Sequence, residues 1–591
     1  MSGQKAPGYR GLVEFPAPSS RDLLLPGLAL AFLTLIAFWP AHHAGFIWDD
    51  DAYVTQNPLL TAPDGLRRIW FSLDSPSQYF PLTYTTFYFE RALWGLNPAG
   101  YHCINILLHI ANAVLAWRVL ARLRVPGAWL AAAIFAIHPV QVESVAWITE
   151  RKNVLMGFFF LLSLLAWINF INDKGNPNPS WRHYGLALLF YALALFAKTT
   201  ACTLPATLLL ILWLKKIPID ARRLAQVAPF VIIGVAMGLV TVWWEGHHQG
   251  TKAMAFGLGP IDRVLIACRA LWFYLGKLFW PANLAFSYPR WHISASDPRG
   301  YLWVLMTTAT ALIITLVRTW TGRGLEVAAL FFAATLTPVL GFVMLYTFAY
   351  SFVADHYQYL ACLGPIALVV AAVKCGLDRI GQPLLQPVLG AVLLATLAPL
   401  TWKQCEIYTS AETLWRATLA LNPDSWLAHN NLANILHQKG SVGGAIIHYE
   451  EALKGAPDNE SIHFNLANAL YQEGRAGEAI IQFQAALRLV PNDVEAENNL
   501  AWLLATASQP GLRNGNQAVQ LAWHATQETA GRNPVILGTL AAALAETGRY
   551  NDAAQYAQKA LEMARAANRA DLAAKFGHEL ERYQAGQPLH P

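Results

Sequence analysis

Cysteine is scarce in this chain. The six cysteines in 591 residues (Cys103, Cys202, Cys268, Cys362, Cys375 and Cys405) show no CxxC or paired spacing. That pattern argues against a disulfide framework or a thiolate metal centre. Charge is also scarce. Only 13% of residues are Asp, Glu, Lys or Arg, against 55% hydrophobic, and the mean hydropathy is +0.33. A soluble chain carries roughly 25% charged residues. No dense basic stripe is present, so nucleic acid is not an expected partner. The charge that remains is unevenly placed, with a net −5 from Lys403 onward and +10 before it. A basic, apolar part followed by an acidic part implies a membrane region and a soluble tail.

Long apolar runs fill the first part. The run Leu23–Trp39 follows a leader, residues 1–22, that contains Lys5, Arg10 and Arg21, and no small-residue cleavage site follows it. It is expected to be a retained span with a cytoplasmic N-terminus, not a removed signal. Further spans are expected at about 101–121, 126–146, 153–171, 183–198, 200–214, 227–244, 301–317, 325–346, 359–375 and 384–402. Each approaches the ~20 residues that cross ~30 Å of hydrocarbon. With about eleven spans, the basic clusters at Arg118/Arg122/Arg124, Lys174/Arg182, Lys215/Lys216/Arg222/Arg223, Arg318/Arg323 and Lys374/Arg379 all fall inside. The positive-inside rule requires that arrangement. Residues 262–280 carry Asp262, Arg263, Arg269 and Lys277, so this segment is expected to lie in the outer interface as an amphipathic helix. The loop 40–100 and the domain 403–591 are then extracytoplasmic, outside the membrane domain 23–402.

The tail repeats. Pro423, Pro457 and Pro491 are 34 residues apart, as are Asn431-Leu-Ala, Asn465-Leu-Ala and Asn499-Leu-Ala. This is the tetratricopeptide-repeat (TPR) period, with small residues where paired helices touch and proline closing each unit. An insertion near Gln509–Asn516 lengthens the third unit, and a helix at about 567–584 can cap the array. Such solenoids bind extended peptide on a concave face, or serve as spacers or oligomerisation elements.

Three outer stretches carry polar chemistry. The first is Trp48-Asp49-Asp50-Asp51, with Asn57-Pro58 after it. Adjacent carboxylates raise one another's pKa and can supply a general base or bind a metal, or they form a solvated turn. The second runs from His138 through Glu143 and Glu150 to Arg151 and Lys152, with Lys198 at the end of a later span. These cations could grip a phosphate or simply snorkel to headgroups. The third holds Asp355 and His356, which could order a site or cap a helix.

Taken in order, Trp48-Asp49-Asp50, the stretch from His138 to Trp167, Phe196-Ala-Lys-Thr-Thr, Ala354-Asp-His-Tyr-Gln-Tyr-Leu360 and the repeats resemble the TMTC family. These are transmembrane and TPR-containing protein O-mannosyltransferases of the GT-C class. The resemblance implies an all-α, polytopic GT-C-like bundle followed by a TPR α-solenoid. It implies a polyprenyl-phosphate-linked sugar donor and transfer to Ser or Thr hydroxyls of extracytoplasmic proteins, without metal or cofactor. It assigns the base to Asp49 or Asp50. Lipid-phosphate or sugar binding then falls to His138, Glu143, Glu150, Arg151, Lys152, Lys198, Asp355 and His356. The repeats would present the protein acceptor. The alternatives are a membrane-anchored TPR scaffold without catalysis, or a GT-C transferase acting on lipid or glycan or moving an oligosaccharide. Gln587-Pro-Leu-His-Pro591 carries no endoplasmic-reticulum retrieval signal, which favours a bacterial inner membrane with the repeats in the periplasm.

Overall fold

A computed structural model describes residues 20–73, 78–172, 180–248 and 257–590. Lys5, Arg10 and Lys174 lie outside the described residues. Among the described residues all regular secondary structure is helical, and the chain forms two compact units, Met1–Leu414 and Trp415–Pro591.

In the first unit α1 is Ser20–Ala37. The outer segment 40–100 is not a simple loop: it contains α2 (Gly65–Phe71) and α3 (Pro81–Trp94). Tyr53, Leu59, Ile69, Tyr84 and Phe87 bury a small core of their own there, together with Tyr101 and Ile148. Then come α4 (Pro98–Arg122), α5 (Ala128–Ala136), α6 (Val142–Ala146), α7 (Arg151–Asn172), α8 (Trp181–Ala197) and α9 (Leu204–Leu214). The unit continues with α10 (Ala221–His248), α11 (Pro260–Phe279), α12 (Tyr301–Thr321), α13 (Gly324–Leu336), α14 (Leu363–Arg379) and α15 (Leu385–Ile407).

A helical segment occupies each expected span, but several are shorter or broken. The span expected at 126–146 bends by 55° between α5 and α6. Pro139 lacks an N–H and cannot continue the ladder there. The span expected at 325–346 ends as an α-helix at Leu336, because Pro338 and Gly341 (φ +95°) follow. Helix α15 runs on to Ile407, so the boundary expected at residue 403 falls inside a helix. Among the described residues, five helices are long and apolar enough to cross a bilayer unaided, and six if the bent pair counts as one. Exposed Leu, Ile, Val and Trp side chains cover α10, α12 and α15, as lipid-facing helices require.

The helix ends sort into two groups. At one end Arg323 donates to Trp213 O (2.7 Å), Arg318 pairs with Glu326 (3.5 Å) and Arg122 donates to Asn169 (3.1 Å). At the other, Thr83 donates to Ala197 O (3.0 Å), Tyr288 to Asp355 (3.0 Å) and Thr401 to Ile137 O (2.6 Å). Helix α11 meets this second group from both of its ends. Arg263, near its start, donates to Phe342 O (3.0 Å), and His138 bonds Leu278 O at its finish (2.9 Å).

The second unit is a run of paired antiparallel helices. Helix α16 (Ala411–Leu421) leads into α17/α18 (Trp426–Gln438, Val442–Gly455) and α19/α20 (Glu460–Gln472, Ala476–Leu489). Next come α21/α22 (Val494–Thr506, Gly515–Glu528), α23/α24 (Pro534–Glu546, Tyr550–Ala566) and α25 (Ala570–Gln584). Gly440 and Gly474 turn the chain between paired helices at φ +80° and +82°, where an L side chain would be strained. Ala433, Ala445, Ala467 and Ala479 are fully buried, so the small residues do lie at the close approaches.

Candidate active site

The acidic turn is shaped by Asp50. Its Oδ2 accepts from the Ile47 N–H (2.9 Å), closing a tight turn with Trp48 at φ +44°. Its Oδ1 accepts from both the N–H (2.9 Å) and the hydroxyl (2.6 Å) of Thr149. Asp50 is fully buried, and burial pushes its carboxyl up to about 7, although three donors act in the opposite direction. Trp48 holds the strained turn by stacking on Trp147, with ring centroids 5.5 Å apart. Asp51 points away from the site. It is exposed and accepts from Thr55 within its own helical turn (2.6 Å).

Asp49 is the carboxylate left partly exposed. The Tyr346 hydroxyl donates to its Oδ2 at a long 3.4 Å. Burial raises its pKa, and the Lys152 ammonium nearby pulls it back down.

Facing Asp49 is a cluster built around Glu150. The two oxygens of this buried carboxylate each take one ammonium, Lys152 and Lys198, both at 3.1 Å. Lys198 enters from the end of α8, where the helix stops and the backbone turns extended. Lys152 lies over the rings of Tyr53 (5.1 Å) and Trp147 (5.6 Å), which supply cation–π attraction in place of water. His356 sits between two glutamates. Its Nδ1 is 2.9 Å from Glu143 Oε1, its backbone N–H donates to Glu143 Oε2 (2.9 Å), and its Nε2 is 3.9 Å from Glu150. Asp355 accepts the Tyr288 hydroxyl on both oxygens (3.0 and 3.1 Å). Burial, reinforced by neighbouring Glu143, holds the Asp355 carboxyl well above the usual range.

Two expected site residues are spent elsewhere. Arg151 is fully buried, and its guanidinium forks onto Glu90 while donating to Asn105, Thr86 and Tyr101 O. A guanidinium has five N–H donors, so little remains for a phosphate. His138 is a tether: Nε2 donates to Leu278 O and Nδ1 accepts from Val140 N–H (3.3 Å). It borders an apolar groove of about 520 Å³ lined by Ile134, Leu278, Trp280, Pro365 and Leu397. The chain therefore brings together Asp49, Asp50, Glu143, Glu150, Lys152, Lys198, Asp355 and His356, and sets Arg151 and His138 apart.

Sequence reasoning missed Thr149, Glu90, Tyr288 and Tyr346. Glu90 had a signal, as a carboxylate on an aromatic helix whose charge needs a buried partner. Tyr346 had none, because only the fold carries its loop to Asp49.

The descriptions "TPR repeat" and "Tetratricopeptide repeat" match residues 433–474 and 461–493. Mouse "Protein O-mannosyl-transferase TMTC2" is 34% identical over 166 residues, which is 26% of this chain and 19% of that protein. "Protein O-mannosyl-transferase F38B6.6" of Caenorhabditis elegans is 25% identical over 77% of this chain and 66% of its own length. Human "Protein O-mannosyl-transferase TMTC1" is 24% identical over 74% of this chain and 55% of its own. The matched region thus spans between a fifth and two thirds of these relatives. Among solved structures, the TPR domain of P58(IPK) aligns at 13% identity with a TM-score of 0.18, covering 72% of this chain and 98% of that one. With several apolar helices and C-terminal repeats, this multi-pass membrane protein is similar to the TMTC protein O-mannosyl-transferases.

Proposed function

We propose that this protein is a GT-C glycosyltransferase that moves a mannose-like sugar from a polyprenyl-phosphate donor to Ser or Thr hydroxyls of extracytoplasmic proteins. The observation that carries the reading is a partly exposed carboxylate, Asp49, facing two ammonium groups that are held on one buried glutamate. Base and leaving-group stabiliser are thus supplied within one site.

The acceptor hydroxyl oxygen attacks the anomeric carbon as its proton passes to Asp49. The bond from that carbon to the phosphate oxygen breaks, and its electron pair leaves with the polyprenyl phosphate. Lys152 and Lys198 neutralise the developing phosphate charge. Glu150 keeps both ammonium groups charged and fixes their spacing in the absence of donor. A single displacement inverts the anomeric configuration. Asp50 acts through the turn that aims Asp49, and the groove beside His138 suits a prenyl chain. The repeats that follow α15 would present the acceptor protein.

The grouping of helix ends supports about eleven crossings, with α11 in the outer interface and the cluster and repeats on the same, extracytoplasmic side. A bacterial inner membrane with periplasmic repeats fits this orientation. The deciding experiment incubates purified full-length protein with labelled polyprenyl-phosphate mannose and a Ser/Thr-rich acceptor. Label on the acceptor that D49N abolishes supports the reading; label on lipid only, or on neither, overturns it.

A further inference from the structure

Away from the carboxylate cluster, at the end of the bundle that holds Trp213 and Arg323, lies a cavity of about 210 Å³ between α4, α7, α9, α13 and α14. Its walls are apolar: Val119, Leu161, Leu164, Ile211, Phe331 and Ala371 are representative. Helix α9 ends here at Leu214 and α13 begins here at Gly324, and side chains leave the space between them and α4, α7 and α14 unfilled. Apolar volume of this kind suits hydrocarbon.

Three wall segments each carry a cation at this end. Leu123 and Val125 line the cavity and flank Arg124, which is exposed on a left-handed turn at φ +61°. Leu214 lines it and precedes Lys215, and Gly324 lines it and follows Arg323. Cations alone at these positions would reflect only the positive-inside rule. Cations beside an apolar cavity match an amphiphile with an anionic head and a hydrocarbon tail.

We propose that this cavity is a binding site for one anionic phospholipid, an acyl chain lying between α9, α13 and α14 and the phosphate near Arg124 and Lys215. It is separate from the donor site and does not depend on the proposed transfer activity.

The test uses full-length protein in nanodiscs of equal phosphatidylglycerol and phosphatidylcholine, followed by detergent release and native mass spectrometry. Wild type should retain one phosphatidylglycerol at several-fold excess over phosphatidylcholine. R124Q/K215Q should bring that ratio close to one while still holding a lipid, and A371F should lose retention. Equal retention of the two lipids by wild type overturns the proposal without any variant having to fold. So does an anionic preference that R124Q/K215Q leaves intact, retention that A371F leaves intact, or retention of polyprenyl phosphate in place of phospholipid.

Discussion

Asp50 and Thr149 are 99 residues apart, yet one oxygen of the Asp50 carboxylate accepts both the N–H and the hydroxyl of Thr149. That bond pair fastens the first outer segment to the segment that begins α7. Asp49 and Lys152 therefore face each other only because their neighbours are joined. The two adjacent aspartates divide the labour: Asp50 is spent on structure, and Asp49 is left with one long contact.

Asp50→Asn should accordingly destabilise the fold. The amide can still accept from Thr149, but its NH₂ opposes the Ile47 N–H. An unsatisfied buried donor costs about 1–3 kcal/mol, and the loss should appear as a lower Tm in thermal unfolding.

The same residue makes a pH prediction. The folded carboxyl lies near 7, above its usual 3.8, so Asp50 takes up a proton on folding between those values. Its contribution is fully present below about 4 and disappears as pH rises through about 7. Wild type should lose more Tm than D50N between pH 5 and pH 8. Parallel curves would show that Asp50 does not titrate in the folded state.

Asp49→Asn should behave oppositely, with transfer falling about 10²–10⁴-fold and Tm nearly unchanged. The rising limb of the wild-type pH–rate profile should sit above the ordinary carboxylate range, because burial raises the Asp49 pKa. Full activity in D49N would remove the base assignment.

Lys198→Gln and Arg151→Gln separate a donor-binding cation from a structural one. Loss of the Lys198 charge leaves Glu150 paired with Lys152, so the fold should survive while transfer falls about 10²–10³-fold. Loss of Arg151 strands buried Glu90, at a cost of about 3–5 kcal/mol. Its signature should be poor folding, with unchanged donor affinity in whatever protein folds.

Cysteine labelling tests the course of α11. With Cys375 removed, S296C should react with an impermeant reagent from outside, and T321C only after permeabilisation. Both positions are exposed, and they flank α12. The reverse pattern would mean that α11 crosses the membrane.

Much of the architecture was legible in the sequence because its signals are local. A run of about 20 apolar residues identifies a membrane helix wherever it occurs. A 34-residue period with prolines and alanines in register identifies a TPR by itself, as Ala433, Ala467 and the left-handed Gly440 and Gly474 bear out. Membership of the candidate site was also partly local, because polar residues next to apolar spans stand out against their surroundings.

Tertiary structure decided what those residues do. Asp49 and Asp50 read alike in sequence, and only the position of Thr149 makes one a fastener and leaves the other partly open. Arg151 and Lys152 are adjacent cations at the start of one helix. A step of one residue turns a helix by about 100°, so Arg151 faces Glu90 in the packed interior while Lys152 faces Glu150 and Asp49. The direction a side chain faces, and whether a buried partner already uses its hydrogen bonds, depend on chain segments tens to hundreds of residues away. No local pattern encodes that.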